Sequence, residues 1–395
     1  MLNLPWECKT VEKTRLEFVK RVLSKEKSKS ALCREYGISR PTGDKWIKRY
    51  QSGEDLSDKS KRPFLTANKI SPEDEKRIVE QRLKEPAIGA CKTRKMMVDS
   101  GWTNAPSIST FNAVFKRNGL IQKEDSQKAT HIKRFEKEAP NIMWQADFKG
   151  DFLLRDKTRV YPLSIIDDHS RFCLNADAKE NVRFDGTKDS FISTFKKYGM
   201  PEILLCDNGN PWGASQSSAL TYFEVWLMEL GVLTVHISAK HPQTQGKIER
   251  FNKSYKDERL RFYLPENIDD AQRTRIEYMD FYNNQRPHFA LNLDTPSQHY
   301  ISSNRRYDEN IHKWNYQNNA EVRTVRETGY VNFQGQGFFL SEGMRGKEIA
   351  ITETEKDGVF DILFRQFRIA KLDWNNRCIV SKKVLLIKND PREKL

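Results

Sequence analysis

The stretch N-I-M-W-Q-A-D-F-K-G at 141–150 reads as a β-strand crowded with apolar residues and carrying one carboxylate, Asp147. Two other carboxylates have comparable settings. Asp207 closes the apolar run I-L-L-C (203–206) and is followed at once by the turn residues Asn208 and Gly209. Glu249 falls near the start of a helix-like stretch, H-P-Q-T-Q-G-K-I-E-R-F-N-K-S-Y-K (241–256). A strand, a strand end and an early helix turn can bring side chains to one pocket across intervals of 60 and 42 positions. Converging carboxylates hold hard, oxygen-seeking cations such as Mg²⁺ or Mn²⁺. Two such ions can activate a water or hydroxyl and stabilise the leaving oxygen of a phosphodiester.

The charge balance points the same way. The 395-residue chain carries a net charge of +14. Residues 1–140 hold 31 Lys and Arg against 19 Asp and Glu, so the N-terminal third supplies most of the positive field. Such a field favours a polyanion, here DNA. The six cysteines (Cys8, Cys33, Cys91, Cys173, Cys206, Cys378) include no C-x-x-C pair, which argues against a zinc site or a disulfide framework. No apolar stretch approaches the ~18 residues of a membrane span, and the N-terminus lacks an apolar signal core. A soluble cytoplasmic protein with no membrane partner is expected.

Residues 12–50 place apolar side chains at helical spacing: Leu16, Val19 and Leu23, then Ala31, Leu32 and Tyr36, then Trp46, Ile47 and Tyr50. Gly37 ends the middle helix and Ser39 caps the next, the helix-turn-helix layout. Its last helix would present Arg40, Thr42, Lys45, Lys48 and Arg49 to a DNA groove. The basic cluster containing Lys61 and Arg62 suits an arm lying on phosphates. S-P-E-D (71–74) and S-I-S-T (107–110) start two further helices, and a second helix-turn-helix would offer Lys116 and Arg117.

From 141 onward strands alternate with helices. Strands are expected at 143–149, 159–167, 171–177, 202–206 and 232–236, and helices at 184–198, 217–230 and 243–262, a mixed α/β layer fold. Short alternating runs between 322 and 388 predict a small β-barrel or sandwich. The expected fold class is therefore multidomain α/β. Its parts are a helix-turn-helix domain (1–52), basic linker (53–69), second helix-turn-helix (70–122), linker (123–139), mixed-sheet core (140–265), helical extension (266–320) and β-barrel (321–395).

Other acids of the core compete with the chosen three. Asp167-Asp168 in S-I-I-D-D-H-S-R is the best rival, its alternative being a turn between strands. Asp207 sits at the carboxyl end of a strand, the usual functional edge of α/β sheets. Lys256 lies seven residues after Glu249, two helical turns on, where it could meet a phosphate. His236 and His241 lack cysteine partners for zinc.

The motifs W-Q-A-D-F-K-G, C-D-N-G-N-P-W-G and H-P-Q-T-Q-G-K-I-E-R-F-N resemble those of bacterial insertion-sequence DDE transposases with a retroviral-integrase-type catalytic core. The run Y-N-N-Q-R-P-H-F-A-L-N-L-D-T-P (282–296) resembles the segment that follows that core, so the likeness covers about 140–300. It implies a ribonuclease H-like core, the acid triad Asp147, Asp207 and Glu249, and two divalent ions per site, Mg²⁺ above all. It further implies helix-turn-helix units that read terminal inverted repeats, a homo-multimer on DNA, and a role for Lys256 at DNA ends. The chain departs from the pattern in its long Asp207–Glu249 interval, whose extra residues read as a surface loop at 210–221. It also lacks the retroviral His/Cys zinc module, since its first histidine is His131. Two other readings stay open: a nuclease of the same fold without strand transfer, and a catalytically silent DNA-binding regulator.

Overall fold

The computed structural model describes residues 10–59, 70–121, 136–148, 150–213, 220–236, 245–317, 320–381 and 384–387. Two compact units emerge, Met1–Lys69 and Ile70–Leu395.

In the first unit, α1 (Val11–Leu23), α2 (Lys29–Glu35) and α3 (Arg40–Gln51) each begin at a hydroxyl. Thr10, Ser28 and Ser39 accept from Lys13 N, Ala31 N and Thr42 N, satisfying backbone donors that have no partner inside the helix. Phe18, Val19, Leu32, Cys33, Trp46 and Leu56 form the core. Leu23 and Tyr50, expected on the buried faces, are exposed instead: the stripe on α1 runs through Phe18, Val19 and Val22, and α3 packs through Trp46. Gly43 lets α3 approach closely, because a Cβ there would stand 2.8 Å from Cys33 Sγ.

The second unit opens with α4 (Pro72–Lys84), α5 (Ala90–Asp99) and α6 (Ile108–Arg117), packed through Ile78, Met97, Phe111, Val114 and Phe115. Ser71 and Ser107 cap as their sequence settings predict. The core follows: β1 (Met143–Phe148), β2 (Phe152–Leu153), β3 (Arg159–Asp167), β4 (Cys173–Lys179), α7 (Phe184–Tyr198), β5 (Ile203–Cys206), α8 (Tyr222–Glu229), β6 (Leu233–His236) and α9 (Gly246–Tyr255). β4, β3 and β1 run antiparallel, and β5 and β6 extend the sheet parallel to β1, a ribonuclease H-like mixed sheet. β4 starts two residues later than expected, because 167–171 form a turn that ends with Arg171 at φ +65°.

Strand alternation decides which helices cover which face. Trp144, Ala146, Leu163, Ile165, Leu204 and Cys206 face α7 and α8. Ile166, Cys173 and Ala176 meet Ile248, Phe251 and Tyr255 of α9 and Tyr278, Phe281 and Tyr282 of α10 (Ile268–Asn284). The helix expected at 243–262 ends as α-helix at Tyr255 and continues as a π-helical turn, Lys256–Leu260. Trp212, placed by sequence in a surface loop, is buried among Phe148, Phe191 and Phe223; the rest of that loop, 214–219, lies outside the described residues.

Ile88 and Met96 join the α9–α10 cluster, and Arg259 makes a two-pronged contact with Glu85 at 2.8 and 3.1 Å. The second helical region is thereby fastened to the core. After α10 come two 3-10 turns, Phe289–Leu291 and Pro296–Gln298, and irregular chain. The C-terminal region is an antiparallel sheet in the order β13-β12-β11-β10-β7, with β14 also on β12, plus a separate β8–β9 hairpin. These strands are β7 (Glu321–Thr324), β8 (Tyr330–Phe333), β9 (Gln336–Phe339), β10 (Glu348–Glu353), β11 (Val359–Phe364), β12 (Phe367–Asp373), β13 (Cys378–Ser381) and β14 (Leu385–Leu386). The hairpin packs on the core of this sheet, with β8 against β7 and β9 against β13, an antiparallel domain of the small-barrel kind expected.

Candidate active site

Parallel pairing of β1 with β5 matches Met143 to Ile203, Trp144 to Leu204 and Gln145 to Leu205, an offset of 60 residues. The same offset carried two residues further sets Asp147 level with Asp207. Trp144 and Ala146, like Leu204 and Cys206, face α7 and α8, so alternation turns Asp147 and Asp207 to the opposite side, toward α9.

Helix α9, which carries Glu249, is fastened there at its first turn. Gln145, wholly buried, accepts from Ile248 N at 3.2 Å and donates to Asp168 Oδ1 at 2.8 Å. Lys247 Nζ meets Asp168 Oδ2 at 2.5 Å and its carbonyl at 2.9 Å. One turn on, Asn252 Nδ2 donates to Asp147 Oδ2 at 2.9 Å. Asn252 Oδ1 accepts from Ser164 Oγ at 2.9 Å, and Ser164 Oγ accepts in turn from buried Arg275 Nη2 at 3.0 Å. Arg275 donates, Ser164 and Asn252 each accept once and donate once, and Asp147 accepts at the end of the relay, which sets the orientation of its carboxylate.

The electrostatics register the convergence. Burial first, then the charges of Asp207 and Glu249, push the Asp147 carboxyl up to about 6, against the opposing pull of the Asn252 hydrogen bond. Asp207 and Glu249 are exposed. Asp207 Oδ1 accepts from Gly209 N at 3.0 Å, the local turn that its Asn-Gly sequel encodes. As they stand, no three carboxylate, imidazole or thiol groups among the described residues are drawn together closely enough to ligate one ion. The all-oxygen donor set of Asp147, Asp207 and Glu249 is of the kind that suits Mg²⁺ or Mn²⁺.

The rival pair is committed elsewhere. Asp167 and Asp168 are fully buried. Asp167 accepts from Asn141 N, Ser170 N and Ser170 Oγ, each at 2.7 Å. Asp168 accepts from Gln145, from Lys137 N at 2.9 Å and from Lys247. Saturated in this way, both carboxylates anchor the 167–171 turn and the start of α9.

The candidate DNA contacts divide. Arg40, Lys45 and Lys48 are exposed on α3, while Thr42 shares a 2.8 Å hydrogen bond with Ser39 Oγ. Arg49 is half-buried: its guanidinium donates to the Ser57 carbonyl at 3.1 Å and to the Asp55 carbonyl, and lies over the Trp46 ring, so it ties α3 to the following segment. Lys116 and Arg117 are exposed, and Arg117 pairs with Glu75. Lys256 is exposed at the first position of the π-helical turn. Lys61, Arg62, His131 and His241 lie outside the described residues.

Sequence reading missed Asn252, Ser164 and Arg275, which belong to separate elements. It also missed the buried pair Glu258–Arg286, joined at 2.7 and 2.5 Å, though Arg286 stands in the quoted 282–296 motif. That pair locks the π-helical turn to the end of α10 and holds the Arg286 side chain cationic.

Comparison with known proteins agrees with this architecture. Residues 137–242 and 230–296 match Integrase core domain families, 14–64 a Helix-turn-helix domain, and 320–379 the IS481 family transposase C-terminal domain. An uncharacterized 31.7 kDa protein of insertion element IS407 from Burkholderia multivorans is 28% identical over 160 residues, 40% of this chain and 55% of that protein. The uncharacterized 39.2 kDa protein of IS476 from Xanthomonas euvesicatoria is 24% identical over 159 residues, 40% of this chain and 44% of that one. The chain thus spans about half the length of each of these relatives. The HTLV-2 integrase catalytic core domain, solved in complex with magnesium, is 18% identical with a TM-score of 0.32, over 41% of this chain and 99% of that one. A simian T-cell lymphotropic virus intasome, solved with the PP2A regulatory subunit B56 gamma, is 13% identical with a TM-score of 0.34, over 71% of this chain and 96% of that one. At such scores the fold assignment stands on strand order and on the family matches. In chain order the matched segments are a helix-turn-helix domain, integrase core domains and an IS481 family transposase C-terminal domain, so the chain is similar to insertion-sequence transposases with an integrase core.

Proposed function

We propose that the protein binds the terminal inverted repeats of an insertion element and catalyses metal-dependent strand cleavage and strand transfer through Asp147, Asp207 and Glu249. The observation that carries this reading is geometric: the β1–β5 register sets Asp147 level with Asp207, and the Asn252–Asp147 hydrogen bond ties the helix of Glu249 to the same strand, with the Asp147 carboxyl raised to about 6 by burial and by its two acidic neighbours. Asp147 and Asp207 would hold one divalent ion, Asp147 and Glu249 a second, with Mg²⁺ the physiological choice and Mn²⁺ a substitute. When bound, the ions supply activation of a water or 3′-hydroxyl and neutralise charge on the leaving oxygen.

The chain's own residues do the positioning. Asn252 orients Asp147, and the fastened first turn of α9 presents Glu249. Lys256, two turns on, is placed for a phosphate beside the scissile bond. A water first cuts the strand at the element end, leaving a 3′-hydroxyl. That hydroxyl then forms a bond to a target phosphorus as the target's own P–O3′ bond breaks, so no covalent protein–DNA intermediate is required. Arg40, Lys45 and Lys48 supply the contacts of α3 to the repeat, with Lys61 and Arg62 along the phosphates. Handling two element ends together calls for a homo-multimer on DNA.

The test is joining of a labelled terminal-repeat duplex into plasmid, in Mg²⁺ and in EDTA, by wild type and Asp207→Asn. Metal-dependent joined products, absent in the variant while end binding persists, are expected. Cleavage without joining would favour a nuclease, and specific binding with neither reaction a regulator.

A further inference from the structure

Behind Asp207 stands a pair of residues to which neither the motifs nor the triad assigns a role. His236, the last residue of β6, places Nδ1 2.7 Å from the Asp207 carbonyl oxygen and Nε2 2.9 Å from Glu224 Oε1. The carbonyl can only accept, so Nδ1 donates to it, while Nε2 faces the Glu224 carboxyl group, whose second oxygen accepts from Thr221 N at 2.7 Å and Thr221 Oγ at 3.0 Å. Both ring nitrogens are thereby engaged, and the ring bridges Glu224 and the Asp207 carbonyl.

The pair is held on several sides. Glu224 is only 8% exposed, and its capping box with Thr221 fixes it at the start of α8. Cys206 Sγ lies 3.7 Å from Nδ1, and the backbone at Gly213 flanks the half-buried ring so closely that a Cβ there would stand 3.0 Å from His236 Cε1. Helix α8 is itself immobilised: Val225 and Met228 enter the core of the C-terminal sheet, and Glu229 pairs with Lys347 at 2.6 Å.

The place held matters as much as the holding. β5 pairs with β6 through Cys206↔His236, the last matched pair, and Asp207 follows as the chain leaves the sheet. There the His236 side chain takes over from the ladder as donor to the Asp207 carbonyl. We propose that His236 and Glu224 are positioning residues for Asp207: they fix the peptide at the end of β5 and hence the direction in which the exposed Asp207 carboxylate leaves it. The inference rests on Asp207 being a metal ligand, and it extends the support of the site to α8 and the C-terminal sheet on which α8 is seated.

The test uses the full chain and two readouts, both taken well below the unfolding temperature: hydrogen exchange across 204–213, and Mn²⁺ affinity by electron paramagnetic resonance. Wild type, His236→Ala, Glu224→Gln and Asp147→Asn are compared. Glutamine keeps the length of Glu224 and an oxygen for Thr221 but replaces the carboxyl partner of Nε2 by an amide, so Glu224→Gln separates the Glu224–His236 contact from packing. Removing a partner that orients a ligand typically costs about 10–100-fold in metal affinity. His236→Ala should exchange faster at 207–213 and bind Mn²⁺ at least about tenfold more weakly, with Glu224→Gln intermediate. Unchanged exchange in His236→Ala overturns the proposal whatever the metal does. Faster exchange with wild-type Mn²⁺ affinity, when Asp147→Asn has lost it, also overturns it, since the pair then only stiffens the turn. Equal Mn²⁺ binding by wild type and Asp147→Asn would instead bring down the metal reading, and this inference with it.

Discussion

Asn252 Nδ2 sits 2.9 Å from Asp147 Oδ2, joining the helix of Glu249 to the strand of Asp147. With Ser164 and Arg275 behind it, this contact makes the carboxylate's orientation a property of three separated segments. Asn252→Ala removes the donor and leaves Ser164 Oγ without its acceptor. The Mg²⁺ concentration giving half-maximal DNA cleavage should rise about tenfold or more, with affinity for the DNA end unchanged. Titrating Mg²⁺ in a single-turnover cleavage assay checks this; an unshifted curve would remove Asn252 from the site.

The raised Asp147 carboxyl makes a stability prediction of definite sign. Its value of about 6 in the fold exceeds the ~3.9 of an unfolded aspartate. Between those values the folded state holds more protons than the unfolded one. Stability therefore falls as pH rises from about 4 to 6, and the penalty, on the order of 1–3 kcal/mol, is complete above that range. In divalent-free buffer at pH 7, Asp147→Asn should unfold at a higher temperature than wild type, and the difference should vanish near pH 4. Added Mg²⁺ should stabilise wild type only. Thermal scans at the two pH values decide it; a variant less stable at pH 7 would contradict the assigned repulsion.

Asp168 offers the contrast of a buried carboxylate to which the proposed function gives no part in the chemistry. Asp168→Asn leaves the Lys247 ammonium, 13% exposed, without its countercharge. A loss of about 2–4 kcal/mol is expected in denaturant unfolding, with cleavage per folded molecule within a few-fold of wild type. Full stability with abolished cleavage would move the catalytic assignment to the 167–168 pair.

In the N-terminal unit, Lys45 and Lys48 should separate from Arg49. Each exposed lysine changed to Ala should weaken binding of the terminal repeat and lower the salt dependence by about one phosphate contact. Arg49→Ala should chiefly lower the melting temperature, because it breaks hydrogen bonds to Asp55 and Ser57 and uncovers Trp46. Binding measured across a salt series checks both; an Arg49→Ala protein with native stability and a flattened slope would return Arg49 to the DNA.

Local signals in the sequence carried far, and they stop at identifiable points. Helix α7 was legible to the residue at 184–198, and the hydroxyl starts at Ser39, Ser71 and Ser107 all cap as their positions require. The alternation of β1 placed Asp147 on a strand and the Asp-Asn-Gly sequence put Asp207 at a strand end. What could not be read depends on partners far along the chain. Ser164 meets Asn252 across 88 residues and Arg275 across 111, and no local period encodes either meeting. Asp167 and Asp168 look as catalytic as Asp147 until their buried donors are seen. Trp212 was misplaced because polar, turn-rich surroundings hide a side chain that folds back into its own domain.

The most direct test of the account is to crystallise the protein with Mn²⁺ and map the metal by anomalous diffraction. Peaks bounded by the carboxylates of Asp147, Asp207 and Glu249, lost in Asp147→Asn, are the predicted result. Metal at Asp167–Asp168, or none at the triad at concentrations that support DNA joining, would contradict it.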